Sequence, residues 1–437
     1  MRILVVLPRF PYPLDKGDKL RAFHQMRLMA RRHEIYLFCT SHTAPKQSEM
    51  ERVMQFCKEI RVVKISRMRS YFNAAWSYMH GGSLQLGYWN SRKTREAFAE
   101  FERRVRPDAL YCQMVRTMPW VADSKTYKVL DFQDALSLNT HRRSIREFGW
   151  WKGILEEEAR RLESVEHEAL EMFDRLAVIS KVDRSAIVLG IQKKRRHRKK
   201  IVNLSQSIRA RKRARRKKLL IAKPMMDRIA IVPNGIDTEY YSREAIKHIV
   251  SNGSVAATDI LFCGNMQYEP NVTAATFLVE RIMPNVWREL PDVRVTIAGA
   301  NPTRAVRRLA GKRVNVTGRV ADMRPYYASA RIFVAPMLSG SGLQNKLLEA
   351  MSMGVACITS PIANNSLEAK QNEEILVCKR THETVEQIVR LLTDDSLRQS
   401  FASKGREFVK RVYNWETSGI LELFEREPAR QTDSDNM

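Results

Sequence analysis

Residues 335–354 read APMLSGSGLQNKLLEAMSMG. An apolar run ends at Pro336, a turn of small residues follows at 339–342, and a helical pattern begins at once. Leu343, Leu347, Ala350 and Met351 form the buried stripe of that helix. A strand, a glycine-containing turn and a helix N-terminus make an anion-binding corner. Glycines let the backbone approach closely, and the free amides at the helix start carry about half a positive charge. Lys346 and Glu349, three apart, share the other edge of the helix near its start. A lysine there can neutralise a phosphate, and a carboxylate one turn on can accept hydrogen bonds from ribose hydroxyls. This reads as a nucleotide-diphosphate site. Spacing alone is equally compatible with a plain surface Lys/Glu pair beside a flexible turn.

Outward from this corner, short β-branched runs alternate with longer helical patterns, as in βαβ units with a parallel sheet. In the second half, strands are expected at 259–263, 293–298, 314–316, 332–335 and 356–358. In the first half they are expected at 3–7, 35–39, 60–65, 109–112, 128–131, 175–179 and 229–232. Helices are expected near 19–31, 47–57, 92–105 and 142–172. Ala274, Leu278, Ile282 and Val286, and again Val385, Ile388, Val389 and Leu392, form single apolar stripes suited to packing on a sheet. The fold class is α/β, with two doubly wound Rossmann-like domains facing across a cleft. The first spans 1–240 with a basic insertion at 191–223, and the second spans 241–412. A helix at 413–427 is expected to pack back toward the first domain, and 428–437 to form a disordered tail. Open α/β sheets bind ligands at their carboxyl edges, so two ligands are expected, one per domain.

The 437 residues leave room for two domains of roughly 200 residues each. At 44% hydrophobic the chain can bury real cores, which excludes wholesale disorder. Six scattered cysteines, with no CxxC, argue against a disulfide framework or a structural zinc and fit a reducing cytoplasm. No apolar run approaches the ~20 residues of a membrane span. The first strand follows Met1-Arg2 directly, so no signal peptide is expected. The expected location is the cytoplasm, and peripheral attachment to the inner face of the plasma membrane stays open as an alternative.

The net charge of +27 is uneven, because residues 192–223 hold sixteen Lys/Arg and no Asp or Glu. Three readings of that segment stand side by side. One is a solvated insertion without a partner. Another is attraction to anionic lipid, with Ile201, Leu204 and Ile208 on one face of an interfacial helix. The third is nucleic acid, the least favoured because no reading module accompanies the charge.

The 335–354 stretch resembles the nucleotide-binding helix of GT-B glycosyltransferases, specifically retaining family 4 with its LLEAMAxG signature. Other landmarks follow in order over nearly the whole chain. Residues 231–237, IVPNGID, are similar to the family's PNGVD, and 263–271, CGNMQYEPN, resemble the loop that opens its C-terminal domain. Ala298-Gly299 and Thr317-Gly318-Arg319-Val320 sit where the family places loops around sugar and base. Residues 7–26, LPRFPYPLDKGDKLRAFHQM, look like the subgroup associated with exopolysaccharide clusters and exosortase (PEP-CTERM) systems.

The resemblance implies roles by position. Glu349 would bind the donor ribose, and Lys346 with Ser341 and Gly342 would hold the diphosphate. Gly264 would sit near the diphosphate or sugar, and Arg319 and Val320 near the base. Asp15, Lys16, Gly17 and Asp18 would form an acceptor-side loop, although they also read as an ordinary polar turn before a helix. The chain departs from the family in three places. Ser341 stands where the EX7E pattern has its first glutamate. A basic pair is missing from 265–271, and the local sequence at 111–114 holds no histidine. His24, His80 and His141 lie in the acceptor half, and His141 is the catalytic candidate among them, though a lone histidine is more often structural. No DxD-type motif is usefully placed, and Asp131 and Asp134 read as polar residues at a strand end. The implied activity is metal- and cofactor-free transfer of a sugar from a nucleotide diphosphate donor to a glycan or polyprenyl-linked acceptor, with retention. Two rivals remain open at this point: a nucleotide-sugar 2-epimerase of the same fold, and a non-catalytic nucleic-acid or membrane-binding protein acting through the basic segment.

Overall fold

Along the first strand, Ile3, Val5 and Leu7 enter one apolar core while Leu4 and Val6 enter another. Side chains alternate across a strand, so a strand apolar on both sides must be covered on both faces, as parallel sheets are. That is the arrangement in the computed structural model, which describes residues 1–145, 147–190, 224–247, 255–339 and 343–425.

The chain divides into two units, 1–233 with 419–437, and 234–418. The first holds seven strands, β1 (Arg2–Leu7), β2 (Glu34–Ser41), β3 (Glu59–Lys64), β4 (Ala109–Gln113), β5 (Tyr127–Asp131), β6 (Arg175–Val178) and β7 (Ile229–Ile231). They form one sheet in the order β3-β2-β1-β4-β5-β6-β7, parallel throughout. The second unit holds β8 (Thr258–Cys263), β9 (Val295–Ala298), β10 (Val314–Gly318), β11 (Ala330–Ala335), β12 (Ala356–Thr359) and β13 (Leu376–Val377). Their order is β10-β9-β8-β11-β12-β13, again parallel. Every expected strand is present to within two residues, and β13 is additional.

Four features differ from the sequence reading. The boundary falls at 233/234 instead of 240/241, because Ile236 pairs with Asn414 and Gly235 packs on Trp415, tying 234–237 into the second unit. The helix expected over 142–172 is two, Leu136–Ser144 and Trp150–Met172, interrupted at Gly149 with φ +64°. The helix expected over 413–427 is instead two short 3-10 turns, Trp415–Thr417 and Leu421–Phe424. Ile420, Leu423 and Phe424 are buried in a core of the first unit. Helices Arg67–Met79 and Leu84–Trp89 were not anticipated. Among the described residues no helix is long and apolar enough to cross a membrane.

Asp131 is more than a polar strand end. Its carboxylate accepts from Arg21 Nε at 2.6 Å, from Tyr111 Oη at 2.6 Å and from the Gln133 amide at 3.1 Å. Burial works against the Arg21 charge, but Asp131, with Tyr111 and Asp134, more than offsets it, so the arginine pKa stands above its ordinary value.

Candidate functional site

In the C-terminal sheet the strand order reverses between β8 and β11, the kind of switch point at whose carboxyl edge open α/β sheets bind ligands. The loop after β8 carries Gly264, and the one after β11 leads to the helix Asn345–Ser352. The loop after β8 is laced to its neighbours. Gly264 N donates to Ala298 O at 3.0 Å, Met266 N to Ala300 O at 2.8 Å, and Gly299 N to Gly318 O at 3.1 Å. Gly299 has φ +142°, and a Cβ there would lie 1.8 Å from the Gly264 carbonyl oxygen. Only glycine fits that approach.

Lys346 and Glu349 are half-buried, and each head group is held by the surrounding fold. Lys346 Nζ donates to Asn271 Oδ1 and sits 3.7 Å from Met337 Sδ and 4.9 Å from the centre of the Phe262 ring. Asn271 is oriented by donating to Asn265 O at 3.0 Å. Glu349 Oε2 accepts from Tyr327 Oη at 2.7 Å, with a further hydrogen bond from Tyr241. Tyr327 Oη also lies 3.0 Å from Cys263 Sγ. The plain surface pair is therefore not what the fold builds.

Burial pushes the Lys346 ammonium down to about 8, against the attraction of Cys263 and Glu349. Burial pushes the Glu349 carboxyl up to about 7, against the two tyrosine hydrogen bonds and Lys346. A cation and an acceptor carboxylate on one helix, both partly desolvated, act at short range in a medium less screening than water. A diphosphate seated against Lys346 favours its protonated form. Affinity for a nucleoside diphosphate is therefore expected to hold below pH 8 and to fall as pH rises through about 8. Isothermal titration on either side of that value checks this, and affinity that is flat or rising with pH contradicts it.

Arg319 is exposed and Val320 half-buried, both directly after Gly318 on the loop tied to Gly299. They share the sheet edge with Gly264 but make no hydrogen bond or ion pair to Lys346 or Glu349. Ser341 and Gly342 lie outside the described residues, as do the basic segment and the tail at 428–437. A separate cavity of about 330 Å³ beneath Leu338 contains none of the assigned donor residues. Asn271, Cys263, Tyr241 and Tyr327 were not assigned from the sequence. Asn271 and Cys263 lie in the 263–271 stretch, whose resemblance offered a signal; nothing in local spacing marks the two tyrosines.

In the N-terminal unit the order reverses between β1 and β4, and the loop after β1 runs into the helix Gly17–Met29. Lys16 and Gly17 are exposed at the helix start. Asp15 pairs with Lys19 at 2.9 Å, and Asp18 with Arg9 at 3.2 Å. Beside them lies a cavity of about 460 Å³ whose lining includes Arg9, Lys16, Lys19, Arg67, His42 and Trp89. Within it Tyr88 Oη and His42 Nε2 are 3.0 Å apart, and the Arg9 guanidinium lies 5.6 Å from the centre of the Trp89 ring. His141 is half-buried in the helix Leu136–Ser144, and no hydrogen bond or ion pair joins it to Asp15, Lys16, Gly17 or Asp18. His42 is the histidine that lines this cavity. Among the described residues no group of three or more His, Cys, Asp or Glu could hold a metal ion.

Residues 257–394, which contain Gly264, Lys346 and Glu349, match the family model described as Glycosyl transferases group 1. The chain is a glycosyltransferase. The enzyme is 20% identical over 424 residues to an uncharacterized 44.6 kDa protein in the cps region of Klebsiella pneumoniae, covering 94% of this chain and 96% of that one. It is 25% identical over 203 residues to phosphatidyl-myo-inositol mannosyltransferase of Mycolicibacterium smegmatis, covering 44% of this chain and 51% of the relative. HepE of Anabaena, solved in complex with UDP, superposes with a TM-score of 0.62 at 12% identity, over 97% of this chain and 98% of that one. The enzyme's fold is GT-B.

Proposed function

We propose that the enzyme transfers a sugar from a nucleoside diphosphate donor to a glycan or polyprenyl-linked acceptor, with retention of anomeric configuration, in exopolysaccharide assembly. The observation that supports this reading is that Lys346 and Glu349, on one helix inside the matched glycosyl transferase segment, are held by Asn271 and Tyr327. Glu349 takes the ribose hydroxyls as hydrogen-bond donors, and Lys346 with Ser341 and Gly342 holds the diphosphate. Gly264 lets the backbone approach the diphosphate and sugar, while Arg319 and Val320 border the base. The UDP complex of HepE and the cps-region relative support the donor class and the polysaccharide setting. Lys16 and Arg67 in the lining of the N-terminal cavity, beside the paired Arg9 and Lys19, favour an acceptor that carries phosphate, as a polyprenyl-linked one does.

In the reaction, the bond from the sugar's anomeric carbon to the diphosphate oxygen breaks and a bond to the acceptor oxygen forms. The acceptor's hydroxyl proton leaves with the departing phosphate. Catalysis comes from positioning and from neutralising charge that grows on the diphosphate, with no metal ion. The acceptor-side groups are Asp15, Lys16, Gly17, Asp18 and His141.

Incubating UDP-glucose and other nucleotide sugars with a polyprenyl diphosphate-linked sugar is expected to release nucleoside diphosphate only when acceptor is present. The product keeps the donor's anomeric configuration by NMR, and a chelator leaves the rate unchanged. Rearranged free sugar without acceptor would point to an epimerase, and an inverted product would overturn retention.

A further inference from the structure

The helix Arg67–Met79 is packed inside out. Its inner face is small. Ser70 and Ala74 are buried, and a Cβ on Gly87 of the neighbouring helix Leu84–Trp89 would lie 2.4 Å from Ser77 Cβ. Its large apolar residues point away from the core. Met68 is 84% exposed, Phe72 67%, Trp76 57% and Met79 77%, with Tyr71 beside them. Phe72 and Trp76 stack with ring centres 6.5 Å apart, and the His80 ring follows 4.1 Å from Trp76. Scattered exposed hydrophobics are ordinary, but a contiguous aromatic row along one helix marks an interaction surface.

Charge identifies what the surface meets. Residues 60–95 contain seven Lys/Arg and no Asp or Glu, and Arg61, Lys64, Arg67 and Arg69 precede or open the apolar row. A helix with Trp, Phe and Tyr on one face and basic residues beside them suits the boundary of an anionic bilayer, where rings enter the headgroup layer and cations meet lipid phosphate. A second exposed aromatic group, Phe148, Trp150 and Trp151, opens the helix whose Arg161 guanidinium lies 4.1 Å from the centre of the Tyr78 ring. Tyr71 packs on Tyr88 at 5.3 Å, and Tyr88 and Arg67 both line the 460 Å³ cavity.

We infer that the exposed face of Arg67–Met79 docks the enzyme on an anionic lipid bilayer, independently of the basic segment at 191–223. The face is continuous with the N-terminal cavity through Tyr71 and Arg67, so docking presents that cavity at headgroup level. This surface stands whether or not the donor assignment holds.

The test is co-sedimentation of the full chain with phosphatidylcholine vesicles, with and without phosphatidylglycerol. Wild type is expected to bind the anionic vesicles and to release as salt is raised. Phe72→Ser/Trp76→Ser/Met79→Ser is expected to lower partitioning on the order of tenfold or more, because binding scales with buried apolar area. Arg69→Glu lowers binding to anionic vesicles only. The replaced side chains are exposed, so melting temperature and UDP titration report whether each variant stays folded. No wild-type binding, or unchanged binding by the triple variant, overturns the proposal. A wild-type dimer that the triple variant dissolves, with vesicle binding intact, overturns it in favour of a second copy of this chain.

Discussion

Turnover by Lys346→Ala is expected to fall about 10²–10³-fold, the usual cost of removing one group that stabilises a developing negative charge. The size of the effect follows from how the ammonium is held. Asn271, Met337 and the Phe262 ring fix its position, so little reorganisation remains when charge grows on the leaving diphosphate. Partial burial also keeps water from taking over its role, as its lowered pKa of about 8 reports. Alanine is a good helix former near the start of Asn345–Ser352, so the fold should survive the change. Steady-state kinetics with saturating donor checks this beside a melting curve. Turnover like wild type from a folded variant contradicts the role of Lys346.

The largest stability effect is expected in the other unit. Arg21 and Asp131 are 1% and 0% exposed, and Asp131→Ala leaves the guanidinium buried without its carboxylate. Breaking a buried pair from one side costs about 3–5 kcal/mol, because the charge that remains buried loses its counter-charge. Tyr111 loses one of its two hydrogen-bond partners as well, keeping Gln25. Replacing both charges by apolar residues of similar volume, Arg21→Met/Asp131→Leu, is expected to recover much of the loss, since the pair itself is offset by desolvation. Urea unfolding of Arg21→Met, Asp131→Leu and the double variant measures the coupling. A single variant costing under about 1 kcal/mol contradicts the account of this core.

The two sheets were readable because parallel strands buried on both faces leave short uninterrupted apolar runs, such as residues 3–7 and 332–335. The helices that escaped notice break the rule behind such readings. Arg67–Met79 carries its large apolar residues outward and Ser70 and Ala74 inward, so its stripe gives no guide to a core. Strand β13 is two residues long and owes its existence to pairing with β12. At the site, Lys346 and Glu349 were visible because they lie on one helix three residues apart. Their partners were not. Tyr327 reaches Glu349 from 22 residues away, and Asn271 reaches Lys346 from 75, contacts that only the tertiary fold creates. The same distance explains why spacing left a surface pair open as an alternative. Asn271, which packs against Gly264 and accepts from Lys346, is what links the helix to the loop after β8.

The central claim is that this site binds a nucleoside diphosphate through Glu349. Calorimetric titration of UDP, GDP, ADP and CMP into wild type and Glu349→Ala tests it most directly. The account predicts that one nucleoside diphosphate binds wild type and that the variant loses about tenfold or more in affinity, on the order of 1.4 kcal/mol. If none binds, or the variant binds the same nucleotide equally well, the helix Asn345–Ser352 is scaffold and the donor-site assignment is wrong.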